Sequence, residues 1–274
     1  MGPLLATSPL PAPASVPAPV VAAAGEAAIS VEGIEKRFGR KVIYCGLDLS
    51  VRRGETLTVL GPSGSGKSVL LKLIIGLLKP DAGRILVDDL DVVTLDERAL
   101  RPIRKKVAIL FQGAALFDSM NVGQNVAYGL VEQGGTSAAD TRARVAECLE
   151  WVGLPGTESM APSDLSGGMK KRIGLARALA TAPEIILYDE PTTGLDPSNS
   201  RRINELILAL QERLKVTSLV ITHDLRSAFE VSNRIALVSE HKVALVQDAA
   251  EAQKSPGPAL EQFLKGRDIG GAPS

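Results

Sequence analysis

The chain has 274 residues, enough for one large α/β domain or for a domain carrying a smaller subdomain. Its 31 basic and 31 acidic residues cancel, so the basic excess expected of a nucleic-acid binder is missing. Only 3% of the residues are aromatic, which leaves little to stack on single strands, and no nucleic-acid partner is expected.

Residues 1–28 are rich in Ala and Pro, uncharged before Glu26 and without a basic residue before Lys36, so the positive start of a secretion signal is absent. Pro3, Pro9, Pro11, Pro13, Pro17 and Pro19 would break a spanning helix, and a disordered tail is expected. Ile29 to Phe38 and Lys41 to Val51 alternate in polarity and read as an antiparallel edge. Thr56 to Leu60, Val107 to Phe111, Ile185 to Tyr188 and Leu219 to Thr222 are short apolar runs nearly free of alternation. Strands buried on both faces of a parallel sheet read this way. An apolar helix pattern fills Val69 to Leu78. The stretch between Phe111 and Ile185 carries no strand signal. Its helical patterns, Asn125 to Glu132 and Ser137 to Val152, the latter opened by Ser137 with Asp140, suggest a helical subdomain inserted at about 113–180.

Arg234 to Ser239 and Lys242 to Val246, joined by Glu240 and His241, predict a closing hairpin. Leu260, Phe263 and Leu264 then fall at helical spacing before a Gly-rich end, within an extension over 248–274. No apolar run elsewhere reaches the ~18 residues of a membrane helix, so membrane contact is expected only through a partner. Cys148 shares a helix face with Val145, Leu149 and Val152, and core packing is expected of it and of Cys45. Two isolated thiols fit a reducing compartment.

Gly61-Pro62-Ser63-Gly64-Ser65-Gly66-Lys67-Ser68 fits G-x₄-G-K-[ST] at every position, after a strand and before a helix that opens with Val69. The glycines let the backbone wrap so that its N–H groups face phosphate oxygens. The helix start adds positive potential, Lys67 reaches the β/γ oxygens, and the Ser68 hydroxyl is suited to Mg²⁺. Downstream, the apolar strand Ile185 to Tyr188 ends in Asp189-Glu190. Two adjacent acids at such a strand end are costly unless a cation and a reaction use them. Asp189 is expected to hold Mg²⁺ and Glu190 to act as the general base that orients water. The fold expected from these motifs is that of an α/β P-loop nucleotide hydrolase.

Leu165-Ser166-Gly167-Gly168-Met169-Lys170 resembles the signature of ABC transporter ATPases. Phe111-Gln112 is similar to that family's Q-loop, Gly194-Leu195-Asp196 to its D-loop and His223-Asp224 to its switch histidine. The resemblance spans residues 29–247 and implies an ABC-type nucleotide-binding domain with an antiparallel β edge and a helical insertion. It further implies ATP and Mg²⁺ as cofactors, Gln112 near the metal and the attacking water, and His223 on the γ-phosphate and Glu190. Phe38 would stack on adenine or, on the alternative reading, pack at the edge strand. The resemblance implies a homodimer in which each signature closes the partner's site, with Asp196 acting across the interface. Lys170, Lys171 and Arg172 crowd the helix start after the signature, where cations oppose the dipole. They predict either a docked anion or a solvated basic face. Met169 stands where most of the family has Gln, which removes a side-chain amide there.

Phe111 to Met120 with Asn125-Val126, the Met-containing signature, Asp189 to Pro197 and the Ser255 to Gly266 segment resemble the ATPases of Mla/Mce-type lipid transporters. That likeness implies phospholipid or lipid transport in the bacterial envelope, an integral membrane permease, an MCE-type lipid-binding protein and a place on the cytoplasmic face of the inner membrane. It also implies that Ala114 to Met120 receive the permease and that the tail near Phe263 clasps the second ATPase. A transporter for small polar solutes is the alternative. An ABC protein acting on DNA or ribosomes would carry two cassettes or a long coiled-coil insertion. A switch GTPase would carry an NKxD-type motif, and none is found.

Overall fold

In the computed structural model, residues 26–266 are described; most of the expected tail 1–28 and the last residues of the C-terminal extension lie outside them. The described residues form two compact units, one over Ala114–Ala182 and one comprising the residues before and after it.

In the larger unit the chain runs β1 (Ala27–Phe38), β2 (Lys41–Arg52), β3 (Thr56–Leu60), α1 (Lys67–Ile74), β4 (Ala82–Val87), β5 (Leu90–Asp91), α2 (Arg101–Lys106) and β6 (Val107–Leu110). After the smaller unit's α3 (Val122–Gln133), α4 (Ala138–Trp151) and α5 (Gly167–Ala180), it resumes with β7 (Ile185–Asp189), α6 (Pro197–Leu214), β8 (Thr217–Ile221) and α7 (Leu225–Val231). It closes with β9 (Arg234–Ser239), β10 (Lys242–Asp248), α8 (Ala249–Lys254) and α9 (Pro258–Leu264).

The apolar runs β3, β6, β7 and β8 pair parallel in a six-stranded sheet of order β10-β9-β3-β8-β7-β6, with β9 also parallel to β3 and β10 antiparallel at the edge. Every residue of β3, β7 and β8 is buried, which explains why they lack alternation. The strands β1 and β2 pair antiparallel as expected and join β4 and β5 in a second sheet, β2-β1-β4-β5. One core links both sheets through α1. Leu70, Leu71, Leu73 and Ile74 of that helix lie among Ile29, Leu47, Leu57 and Leu187, each contributing roughly 1.5–3 kcal/mol by burial. The helix ends at Ile74, short of the expected Leu78, because the chain turns at Gly76 with φ 67.

Two bulges in β2 decide its facing. Leu47, Leu49 and Val51 point inward, so strict alternation would send Cys45 inward too. Glu35 pairs with Cys45 and Ile34 with Leu47, leaving Gly46 as an extra residue that reverses the phase. Cys45 is therefore exposed, contrary to expectation, and Tyr44 is buried. A second extra residue, Ile43, lies between the pairs Lys36–Tyr44 and Arg37–Val42 and restores the phase, so Ile43 is buried as well.

A second cluster gathers Leu60, Ile235 and Leu237 with Ala228, Ala252 and Leu260. Phe263 and Leu264 of α9 pack on it, so this part of the extension is seated on its own chain.

The smaller unit packs α3, α4 and α5 around Val126, Cys148, Leu149, Ile173 and Leu179. Ser137 caps α4 by accepting from the Asp140 N–H and donates to the Asp140 carboxylate; the reciprocal capping box forms instead at α3, between Asn121 and Gln124. Cys148 is buried as expected, and burial pushes its thiol up to about 11.

Candidate functional site

Between β3 and α1 the backbone doubles back through 61–66. Gly66 takes the left-handed conformation at φ 97, and no side chain caps the helix, so the Lys67 and Ser68 amides lack acceptors within it. A Cβ on Gly66 would lie 2.5 Å from Ile43 Cγ2, and one on Gly61 would lie 2.8 Å from the Val238 carbonyl oxygen. Only glycine fits at either place. The buried Lys67 ammonium donates to the Gly61 carbonyl at 2.8 Å and the Pro62 carbonyl at 3.0 Å, curling back over the loop. Burial lowers its pKa, against the opposing pull of Glu190 and Asp189.

At the end of β7 the two carboxylates face different partners. Asp189 accepts a 2.9 Å hydrogen bond from the Ser68 hydroxyl. Burial raises its pKa, the Ser68 bond opposes that, and the charge of Glu190 adds to it. Glu190 sits in the left-handed region at φ 48, strain of a kind found at functional sites. Its Oε2 meets His223 Nδ1 at 2.9 Å and accepts from Thr193 Oγ1 at 2.9 Å and Thr222 Oγ1 at 3.2 Å. Burial works against its charged form, but the bonds from His223 and Thr193 outweigh it and hold its pKa below the ordinary value. The two neighbours are thus driven in opposite directions.

These groups open on a cleft of ≈ 460 Å³. One wall is Ser63, Gly64, Gly66, Lys67, Ser68 and Val69; Gln112, Glu190 and His223 also line the cleft. Gly61, Pro62 and Ser65 complete the loop without lining the cleft, and Asp189 is bonded to its Ser68. Phe38 lines the cleft and is 46% exposed, beside Lys41 and Ile43. Sequence reasoning missed Lys41, Ile43, Tyr44, Thr193 and Thr222. Hydroxyls carry no motif of their own, and the bulges conceal which β2 residues point inward.

The signature residues open α5. Ser166 is its N-cap and accepts from the Met169 N–H at 3.2 Å, Ser166 and Gly167 are exposed, and Leu165 and Gly168 are buried. The expected basic face is not there: Lys171 and Arg172 are buried, and Arg172 donates to the Val152 and Gly153 carbonyls just after α4. Arg172 thus satisfies carbonyls at the end of α4 within the protein. Asp196 caps α6 by accepting from the Ser198 and Asn199 amides.

The sequence model of the family described as "ABC transporter" matches residues 44–193. The chain belongs to the ABC transporter ATPase family. An ATP-binding subunit of this kind binds and hydrolyses ATP. The chain is 40% identical over 243 residues to the probable ribonucleotide transport ATP-binding protein mkl of Mycobacterium leprae (strain TN), covering 89% of itself and 70% of that protein. It is 39% identical over 242 residues to the intermembrane phospholipid transport system ATP-binding protein MlaF of Haemophilus influenzae, covering 88% of itself and 92% of that protein. A solved dimeric, post-hydrolysis structure of the ATP-binding cassette MJ0796, bound to ADP and Pi, superposes with TM-score 0.75 at 32% identity, over 81% of this chain and 98% of that one.

Proposed function

We propose that this ATPase works as a homodimer beneath an integral membrane permease and energises phospholipid or related lipid transport in the bacterial envelope. The observation that carries the catalytic part is one cleft joining an uncapped helix start, a hydroxyl–carboxylate pair and a carboxylate held by an imidazole. The amides of 64–68 and the Lys67 ammonium bind the β- and γ-phosphates, once Lys67 leaves the carbonyls it now contacts. Phe38 stacks on the base. Glu190 orients the attacking water, and His223 and Gln112 complete the γ-phosphate side.

Mg²⁺ fits the donors present. Ser68 and Asp189 are hard oxygen ligands already in contact, and among the described residues no cluster of three or more His, Cys, Asp or Glu competes as a metal site. Few protein ligands suffice, because the nucleotide supplies the remaining oxygens. A bound Mg²⁺ would neutralise charge on the β- and γ-phosphates.

The exposed start of α5, with Ser166 and Gly167, suits a γ-phosphate offered by the partner copy. Among the described residues no helix is long and apolar enough to cross a membrane, so the attachment proposed is peripheral, through the permease on the cytoplasmic face. Phe117 and Tyr128, their ring centroids 4.7 Å apart and the rings tilted by 45°, are both exposed and offer an apolar contact for the permease beside the 114–120 loop.

The lipid reading is supported by the phospholipid-transport relative, which this chain nearly spans, and an MCE-type lipid-binding protein is the carrier that reading calls for. The mycobacterial relative favours the second reading, a small polar solute. Purification with the native permease followed by analysis of co-bound lipid decides between them. Phospholipid in the complex supports the first, and a permease carrying a polar solute rules it out.

A further inference from the structure

We propose that Tyr44 is a positioning residue for nucleotide binding, its phenol pinning the Gly66 peptide so that the Lys67 amide is held toward the phosphates. The inference rests on the reading of residues 61–68 as the phosphate cradle.

Tyr44 is fully buried on β2, brought inward by the extra residue at Gly46, and its hydroxyl donates to the Gly66 carbonyl oxygen at 2.7 Å. That carbonyl belongs to the peptide unit whose other end is the Lys67 N–H. In a trans peptide the two point in opposite directions, so fixing the oxygen toward the core fixes the amide toward the cleft that Lys67 lines. The same oxygen accepts from the Val69 and Leu70 amides at 2.7 and 3.1 Å. Those bonds lie within the first turn of α1, however, and move with it.

A helix start without a side-chain cap frays easily, and α1 has none. Tyr44 supplies an anchor from outside the helix, on a strand of the other sheet. Ile43 flanks the same glycine, so the two bulge-set residues bracket the turn. Burial raises the Tyr44 pKa, which keeps the phenol protonated and therefore a donor at any working pH.

Tyr44→Phe removes the hydroxyl and keeps the ring. The measurement is calorimetric titration of the full-length protein with ATP and with ADP, alongside steady-state turnover. Affinity for both nucleotides should fall about five- to tenfold, the effect of losing one neutral hydrogen bond. KM should rise in step while kcat at saturating ATP is kept, the pattern of lost uniform binding. A purely structural role would lower the melting temperature and leave affinity unchanged; that result, or a loss confined to kcat, overturns the inference. Lys67→Ala serves as the control. If it binds ATP as well as wild type, the cradle reading fails and this inference falls with it; if it does not, an unaffected Tyr44→Phe sinks the Tyr44 role alone.

Discussion

The Ser68 hydroxyl lies 2.9 Å from the Asp189 carboxylate although 121 residues separate them in the chain. β7 and the start of α1 meet there because both lie at the same end of the parallel sheet. If the pair holds Mg²⁺, Ser68→Ala should raise the Mg²⁺ concentration needed for half-maximal ATPase activity by at least about tenfold. Asp189→Asn should raise it further. Turnover measured across a Mg²⁺ series checks this, and an unchanged midpoint in both variants removes the pair as the metal site.

The Lys67 ammonium is desolvated and held by two backbone carbonyls. Lys67→Ala leaves those oxygens without their donor and the phosphates without a cation. Purified Lys67→Ala should lose ATP turnover by on the order of a hundredfold or more. Normal hydrolysis would falsify the cradle assignment.

The parallel strands were legible because burial on both faces writes continuous apolar runs, and the phosphate loop because no other residue types fit its turns. The expectation of core packing for Cys45 failed where an extra residue entered the strand. Gly46 sends Cys45 out and Tyr44 in; the lone glycine inside the strand is the one local mark of the bulge. The basic run at 170–172 misled for a different reason: the carbonyls that Arg172 satisfies follow another helix, invisible to a reading of charge along the chain. β4 opens with three exposed residues, Ala82, Gly83 and Arg84, and so shows neither alternation nor an apolar run, and α2 is too short for a periodic signal. Thr193 joins the site through the turn after β7, and Thr222 through the parallel pairing of β8 with β7.

The two thiols should react very differently. Cys45 is exposed, whereas Cys148 is buried with its pKa pushed up to about 11. Titration of the native protein with a thiol-specific chromophore should label one cysteine quickly and the second only on unfolding. Cys45→Ser should abolish the fast phase. Rapid labelling of both would contradict the packing of α4.

The dimer proposal turns on what Ser166 does. In the isolated chain it caps α5, so replacing it with alanine would confuse lost stability with lost function. Aspartate avoids that difficulty, since it is as good an N-cap as serine but carries a negative charge that repels a docked γ-phosphate. The test is best made in a Glu190→Gln background: with the proposed general base removed, ATP, once bound, should persist and hold two copies together. Size-exclusion chromatography with ATP should show Glu190→Gln as a dimer. Adding Ser166→Asp should return it to the monomer position, while ATP binding to each copy stays within about threefold and the melting temperature is kept. A double variant that still dimerises with ATP would show that α5 does not meet the partner's nucleotide, and the shared-site mechanism would have to be abandoned.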